Sequence, residues 1–488
     1  MEIDPRAAQI AELALAMCAR EHDRRFFTRG VRADVRVLES VEIDADSLAP
    51  ESPLRERSGL LEGLAHLSEI GSLLAPSEDD ITALESELAE NANDTIFASH
   101  TNERVEQALE MCQTLSRRFD VVVANPPYMG GSSFNPFMSK WMKKHYPDSC
   151  KDLCTAFIER GYTLARDNGY AAMVAMQSWM FLGSFEKMRG RIIDEKTILT
   201  MAHLGTRAFD AIGGEVVSVT ADVLYNSKTA IKGAYFRLVD IVGGEPKRQK
   251  LLEAIQNPDC GYFYRADAAT FHDIPGSPIA YWAGEGLHTA YSNGKLGAVF
   301  HSAGRLKTHD NERFIRIWWE PSKCKINTRW KPIANGGGFS RWFGMRYDVV
   351  DFCAEAVSFY SERGGMPNDS CLNQPGICWG IITSDKVSFR YKGCSELFSS
   401  GSPTILINKQ VDEEALCFYL GLLNSSVTDY ILAILNPTLN TTVGDILSLP
   451  NPSRVVPITQ TIKHNLAIAT SSWNSQETSW EFQRNPLI

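Results

Sequence analysis

Apolar residues recur at three-and-four spacing over residues 5–22 (Ala7, Ile10, Ala11, Leu13, Ala14, Met17), which predicts an amphipathic helix. Val35 to Ile43 alternates like a strand. An acidic stretch over about 44–100 follows, carrying the loop signal Ala75-Pro76-Ser77-Glu78-Asp79-Asp80. A second helix is predicted over Asn102–Arg118. Phe119-Asp120-Val121-Val122-Val123-Ala124 is then a continuous, β-branched run, the pattern of a strand buried on both faces of a parallel sheet. Leu153–Arg166 reads as helix, Asp167-Asn168-Gly169 as a turn and Tyr170–Met176 as a buried strand. Glu186–Asp194 reads as helix, Thr197–Leu204 as a strand and Glu215–Tyr225 as its hairpin partner. Strands alternating with helices imply an open α/β sheet that binds ligands at the carboxyl ends of its strands. Residues 227–290 carry mixed signals and read as a connector. From about 291 the texture changes to Gly, Trp, Arg and Ser with short strands. That marks a mixed α+β domain over 291–450, with a helical stretch from Glu413 to Leu435, before a further region begins at 451–488.

Composition narrows the class. At 488 residues, 44% hydrophobic and 22% charged, the chain is of globular type and long enough for two or three domains. No apolar run approaches the ~18–20 residues that cross a bilayer, and the first twenty residues lack the basic start and apolar core of a signal peptide. A cytoplasmic protein with no membrane partner is expected. Eleven cysteines are scattered without a C-x-x-C; Cys150 and Cys154 sit at helical spacing with no His nearby, so reduced thiols and no metal site are expected.

Net charge is −10, but its distribution is uneven. Glu39 to Asp120 holds 19 Asp/Glu against 5 Lys/Arg. Phe300 to Arg346 holds 10 Lys/Arg against 3 Asp/Glu, among them Arg305, Lys307, Arg313, Arg316, Arg341 and Arg346, with Trp318, Trp319, Trp330, Trp342, Phe314, Phe339 and Phe343 interleaved. Basic groups neutralise phosphates and aromatics stack on bases. A solvated face over buried tryptophans gives the same pattern, and charge alone does not separate the two.

Asn125-Pro126-Pro127-Tyr128 follows the apolar run directly. The exocyclic amine of adenine is a poor nucleophile because its lone pair is delocalised into the ring. An Asn side-chain oxygen and the next residue's carbonyl accept both amino hydrogens, draw the nitrogen toward a tetrahedral state and aim its lone pair at a methyl donor. Two prolines hold these acceptors in a rigid turn. The pattern identifies an amino-group target better than it identifies the substrate: glutamine methylation in proteins uses the same turn.

Phe119–Tyr128, with Asn168-Gly169-Tyr170 and Gln177-Ser178-Trp179-Met180 downstream, resembles the N6-adenine DNA methyltransferases, and among them the PglX family of BREX phage-defence systems and related combined restriction–modification enzymes. Gly304-Arg305-Leu306-Lys307-Thr308, Gly336–Gly344, Trp379–Ser384, Leu423-Asn424-Ser425 and Asn436-Pro437-Thr438-Leu439 resemble that family's recognition domain. The resemblance implies a Rossmann-like methyltransferase sheet over 1–226, followed by a DNA-reading target-recognition domain. It also implies S-adenosylmethionine as cofactor and double-stranded DNA as partner. Asn125, Pro126, Pro127 and Tyr128 match the catalytic motif; Glu2 and the neighbouring Asp4 match the acidic end of the second strand, which binds the cofactor ribose. Phe209 falls where an aromatic would sandwich the flipped adenine against Tyr128, and core packing is the other reading of it.

The family's glycine-rich cofactor loop is expected ahead of Glu2. Met129-Gly130-Gly131 and Gly336-Gly337-Gly338 lie in the wrong places to replace it. The expectation is therefore a sheet incomplete at its N-terminus, completed by a missing N-terminal segment or another defence-system protein. Two alternatives stand beside DNA adenine methylation: methylation of a protein glutamine, and a DNA-binding remnant without catalysis.

Overall fold

The computed structural model describes residues 1–48, 50–90, 96–209, 217–383, 386–408, 413–436, 440–454 and 458–484. Pro437-Thr438-Leu439, Ser384 and the start of the predicted Glu215–Tyr225 strand lie outside them. The chain divides into two compact units, Met1–Ala269 and Thr270–Ile488. Among the described residues no single helix is long and apolar enough to cross a membrane.

The first unit is built on six strands: β1 (Phe119–Ala124), β2 (Ala165–Met176), β3 (Thr197–Gly205), β4 (Val219–Tyr225), β5 (Gly233–Arg237) and β6 (Phe263–Ala266), in the order β1-β2-β4-β3-β5-β6. β1 runs parallel to β2, and β3 to β5; β4 is antiparallel to both β2 and β3. Its helices are α1 (Pro5–His22), α2 (Ser58–Ala65), α3 (Leu67–Ile70), α4 (Glu78–Glu90), α5 (Ile96–Ser116), α6 (Pro136–His145), α7 (Leu153–Leu164), α8 (Glu186–Glu195) and α9 (Gly244–Gln256). This is the mixed α/β architecture the alternation implies. The 227–290 stretch is not a bare connector: β5, β6 and α9 extend the sheet and its core, with Phe236, Leu238 and Ala254 packed together.

Three local readings change. The loop signal at 75–80 is the start of α4, where the Ser77 hydroxyl accepts from the Asp80 amide and the Asp80 carboxylate accepts from the Ser77 amide. That reciprocal pair is a helix-start device built from turn residues. The predicted strand at Val35–Ile43 is reduced to one parallel bridge between Glu2 and Val37. The turn at Asp167–Gly169 is a bulge inside β2, with Asn168 in the left-handed region at φ 62° and bonded to the Tyr225 hydroxyl.

β1 is a strand over the predicted residues but is not buried on both faces. It is an edge strand, and Val121 and Val123 are 56% and 74% exposed. The opposite face is covered by α7, which approaches so closely that a Cβ on Gly161 would lie 2.2 Å from the Met173 methyl. The apolar run records a demand for cover on two sides, and the described residues meet it on one.

In the second unit, β7 (Phe300–Ser302), β11 (Gly376–Trp379), β12 (Phe389–Lys392) and β14 (Thr404–Ile407) form a sheet ordered β12-β11-β14-β7. A second sheet, β13-β9-β10-β8, joins β8 (Ile315–Ile317), β9 (Trp330–Ala334), β10 (Asp348–Asp351) and β13 (Leu397–Phe398). The predicted helical stretch breaks into Glu413–Leu423 and Ser426–Leu435. The buried Asn424 side chain pairs with the backbone of Phe389, and Ser425 caps the second helix by accepting from the Thr428 amide. Residues 459–474 pack as a helix on this unit, with Ile462 in its core and Trp473 against Tyr347.

Candidate active site

Asn125 leaves the carboxyl end of β1 with its side chain exposed, while Pro126 is buried beneath it and Pro127 is exposed. The turn is fastened on both arms. Upstream, β1 pairs with β2; downstream, the Gly131 amide donates to the Lys151 carbonyl and the Leu153 amide to the Met129 carbonyl, each within 2.9 Å. Asp152 caps α7 by accepting from the Cys154 amide, so the segment that grips the turn also starts the helix under β1.

The Tyr128 hydroxyl donates to Asn125 Oδ1 at 3.1 Å and leans on the Val174 carbonyl at 3.4 Å. Burial pushes the phenol up to about 12, with the neighbouring Cys154 thiol adding to the shift, so the hydroxyl keeps its proton and serves as a donor. An amide has two faces, donor and acceptor. A donor on Oδ1 fixes which one is which. Cys154 is buried beside this hydroxyl; among the described residues no group of three His, Cys, Asp or Glu is placed to hold a metal.

Gln177-Ser178-Trp179-Met180 follows β2 as a short supporting turn. The Gln177 side-chain Oε1 meets His203 Nε2 at 2.8 Å, and Trp179 Nε1 donates to the Thr220 hydroxyl. Burial, reinforced by Arg237 and Lys247, pushes His203 down to about 3, so it is a neutral spacer.

Sequence reading missed Asp222 in the middle of β4. It is buried, neither carboxylate oxygen has a hydrogen-bond partner among the described residues, and desolvation pushes it up to about 8. The signal was available: a lone carboxylate inside Val219-Thr220-Ala221-Asp222-Val223-Leu224.

The other candidates are placed less directly. Phe209 is half-buried beyond β3, beside residues outside the description, and makes no ring contact with Tyr128 among the described residues. Glu2 is bridged to Val37, and its carboxylate accepts from the Ile3 and Asp4 amides at 2.8 and 3.1 Å. Asp4 caps α1 through the Arg6 amide. A cavity of about 410 Å³ separates Met1 and Arg36 from the free edge of β1. The acidic pair could still accept from the ribose of S-adenosylmethionine: Glu2 Oε1 and Asp4 Oδ1 hold backbone amides, and the second oxygen of each has no hydrogen-bond partner among the described residues. Gly131, in the glycine pair that follows the motif, lies against the Cys150 and Lys151 carbonyls.

The predicted DNA-binding residues separate into two groups. Arg305 and Lys307 are exposed, and Arg313 is exposed with its guanidinium over Phe314 at 4.6 Å and Phe359 at 5.4 Å. Arg316 is spent on the Glu312 and Ile315 carbonyls. Arg341 pairs with Asp429 at 3.1 Å and Arg346 with Glu396 at 3.2 Å, inside the unit.

Residues 1–209, which carry this turn, match the family model described as Eco57I restriction-modification methylase. Over its full length the chain is 33% identical to the adenine-specific methyltransferase BrxX of Escherichia coli O9:H4 (strain HS). It is 32% identical to the adenine-specific methyltransferase PglX of Lacticaseibacillus casei (strain Zhang). The chain is a homologue of these two proteins, which bears out the resemblance read from Phe119–Tyr128, and it spans 43% of the length of each. Among solved structures, a nuclease-deletion mutant of the Type ISP restriction–modification enzyme LlaGI in complex with a DNA substrate mimic aligns at 12% identity with a TM-score of 0.46. That alignment covers 85% of this chain and 39% of that one.

Proposed function

We propose that the chain supplies the amine-activating and DNA-reading parts of a site-specific adenine methyltransferase that modifies N6, with S-adenosylmethionine as the methyl source, in phage defence or restriction–modification. The observation that carries this reading is the exposed Asn125 amide, whose oxygen is oriented from behind by the Tyr128 hydroxyl. Oδ1 keeps a second lone pair for one amino hydrogen of the base, and the Pro126 carbonyl takes the other. With both hydrogens held, the nitrogen lone pair leaves ring conjugation and turns outward. The acceptors are fixed before the base arrives, so no reorganisation is needed during reaction. A flipped adenine would lie on the Tyr128 ring, with Phe209 as the opposite face. The parallel β1–β2 pair, with the motif at its carboxyl end, supports a Rossmann-like sheet.

Radiolabel transfer tests the reading, using the chain together with a polypeptide that carries a glycine-rich strand and cofactor loop. Label recovered in N6-methyladenine of duplex DNA, and lost in Asn125→Ala, supports it. Label in protein glutamine, or transfer indifferent to Asn125→Ala, overturns it. DNA binding without catalysis is the second reading, since Glu2 Oε1 and Asp4 Oδ1 already accept from backbone amides and leave one oxygen apiece for a ribose. Duplex binding with no transfer in any assembly would select that reading.

A further inference from the structure

Residues 335–343 leave β9 as a glycine loop that is fastened along its length. Gly336 and Gly337 lie in the left-handed region, at φ 89° and 113°. A Cβ on Gly336 would lie 3.1 Å from the Gly401 carbonyl oxygen, and one on Gly337 3.1 Å from the Met345 Cβ, so the backbone packs where a side chain would stand. Arg390, only 3% exposed, donates to the Gly336 and Gly338 carbonyls, each at 3.4 Å. The Ser340 amide donates to the Ser388 hydroxyl at 3.1 Å, and the Trp342 amide to the Phe389 carbonyl at 2.9 Å. Phe339 sits between these anchors and is 61% exposed. The adjoining segment, whose Gly380 lies against the Gly337 carbonyl, carries Ile382 at 68% exposure. A free loop would fold such side chains against the unit, because burying apolar area is favourable. Here the backbone is held and the ring stays in solvent, as at a surface that meets a partner.

The surroundings indicate the chemistry of that partner. The Arg341 guanidinium lies 5.5 Å from the Phe339 ring centroid, and Arg341 and Lys386 share one carboxylate, Asp429, at 3.1 and 3.8 Å. Two cations against one anion leave positive charge beside the ring. More lies along the sheet. β13 pairs with β9, Phe398 opposite Ala334, and Leu306 bridges Ser399 on the other edge of β13. Arg305 and Lys307, both exposed, flank Leu306, so their backbone stands two strand spacings from Ala334, roughly 10 Å. An apolar ring set among cations matches a nucleic acid, whose flat uncharged bases lie between rows of phosphates. An apolar groove on a protein would use the ring and gain nothing from the cations. We infer that Phe339 is an apolar wedge that stacks on a base step of duplex DNA, while Arg305 and Lys307 hold phosphates beside it. The inference rests on the reading of the second unit as DNA-binding, and adds to it the residue that enters the base stack.

The test uses the full chain with a closed circular plasmid and a labelled linear fragment of it. The linking number after topoisomerase relaxation in the presence of protein reports unwinding, and anisotropy of the fragment over a salt series reports affinity. Wild-type protein is expected to leave a linking-number change that Phe339→Ala, at saturating concentration, does not. Phe339→Ala should also weaken fragment binding about tenfold or more, with the salt slope and Tm unchanged, because neither a phosphate contact nor a core contact is lost. Phe339→Trp keeps a stacking face and should retain both effects. Equal affinity and equal linking change in wild type and Phe339→Ala would overturn the inference. So would a Trp variant as weak as the Ala one, or a salt slope reduced in Phe339→Ala. Those outcomes leave the second unit a DNA binder, whereas no duplex binding by the wild type would overturn that reading and the wedge with it.

Discussion

Asn125 and Tyr128 are joined by a 3.1 Å hydrogen bond in which the phenol donates to the amide oxygen. The tyrosine therefore has two separable contributions, a ring for stacking and a hydroxyl that orients the acceptor. In an assembly that transfers methyl groups, Asn125→Ala is expected to lower turnover by on the order of 10²–10³ with little change in DNA affinity. Tyr128→Phe keeps the ring and loses one hydrogen bond, worth about 0.5–1.5 kcal/mol, so turnover should fall only about two- to tenfold. Single-turnover rates with matched DNA-binding curves check both. Near-normal turnover in Asn125→Ala would remove this turn from the active site.

How much of this was legible follows from which physical rule governs each residue. β1, α7, α8 and β3 were readable because an uninterrupted periodicity set them, and Asn125-Pro126-Pro127-Tyr128 because its chemistry is local. The α4 start at Ser77–Asp80 was misread because cap residues and turn residues are the same types. The cover of β1 could not be read from Val121 and Val123, since a strand's composition states what it needs and not what packs on it. Asp222 has no partner among the described residues, and Arg341 and Arg346 depend on partners 88 and 50 residues away in sequence, which no spacing rule encodes.

Stability should carry the mark of Asp222. Burial raises its folded pKa to about 8, whereas an unfolded Asp titrates near ~3.9. Its contribution is fully present below about pH 4 and is lost as pH rises toward 8, at about 1.4 kcal/mol per pH unit. His203 acts in the opposite direction: its folded pKa of about 3 gives a contribution present above ~6.5 and lost as pH falls. The two oppose each other between about 4 and 6.5, which leaves Asp222 alone between about 6.5 and 8. Asp222→Asn should flatten the decline of Tm across that upper window. Parallel Tm curves for the two proteins would show that Asp222 is not the titrating group.

The cofactor should bind this chain weakly or not at all. Glu2 Oε1 and Asp4 Oδ1 each hold backbone amides, which leaves one oxygen apiece for the cofactor, and the edge of β1 lines a cavity of about 410 Å³ together with Met1 and Arg36. A polypeptide that contributes a strand and a glycine-rich turn would pair with that edge and bring backbone N–H groups beside Asn125. Titration of S-adenosylmethionine into the chain with and without such a polypeptide checks this. Tight, stoichiometric binding by the chain alone contradicts it.

DNA contacts should track the division among the arginines of the second unit. Arg305, Lys307 and Arg313 are exposed, and the stacked guanidinium of Arg313 keeps its N–H edge free for a phosphate. Reversing any of the three is expected to weaken specific and random duplexes alike and to reduce the salt slope by about one. Arg341 and Arg346 are tied to Asp429 and Glu396, both largely shielded from solvent. Removing Arg346 leaves the buried Glu396 carboxylate without that partner, whereas Asp429 keeps Lys386 at 3.8 Å, so Arg346→Ala should cost about 1–3 kcal/mol of stability and change duplex affinity little. Fluorescence anisotropy over a salt series, paired with thermal unfolding of each variant, separates the two groups. If the three exposed reversals leave every duplex affinity unchanged, the second unit does not hold the phosphate backbone, and a protein substrate becomes the stronger reading for the Asn125 turn.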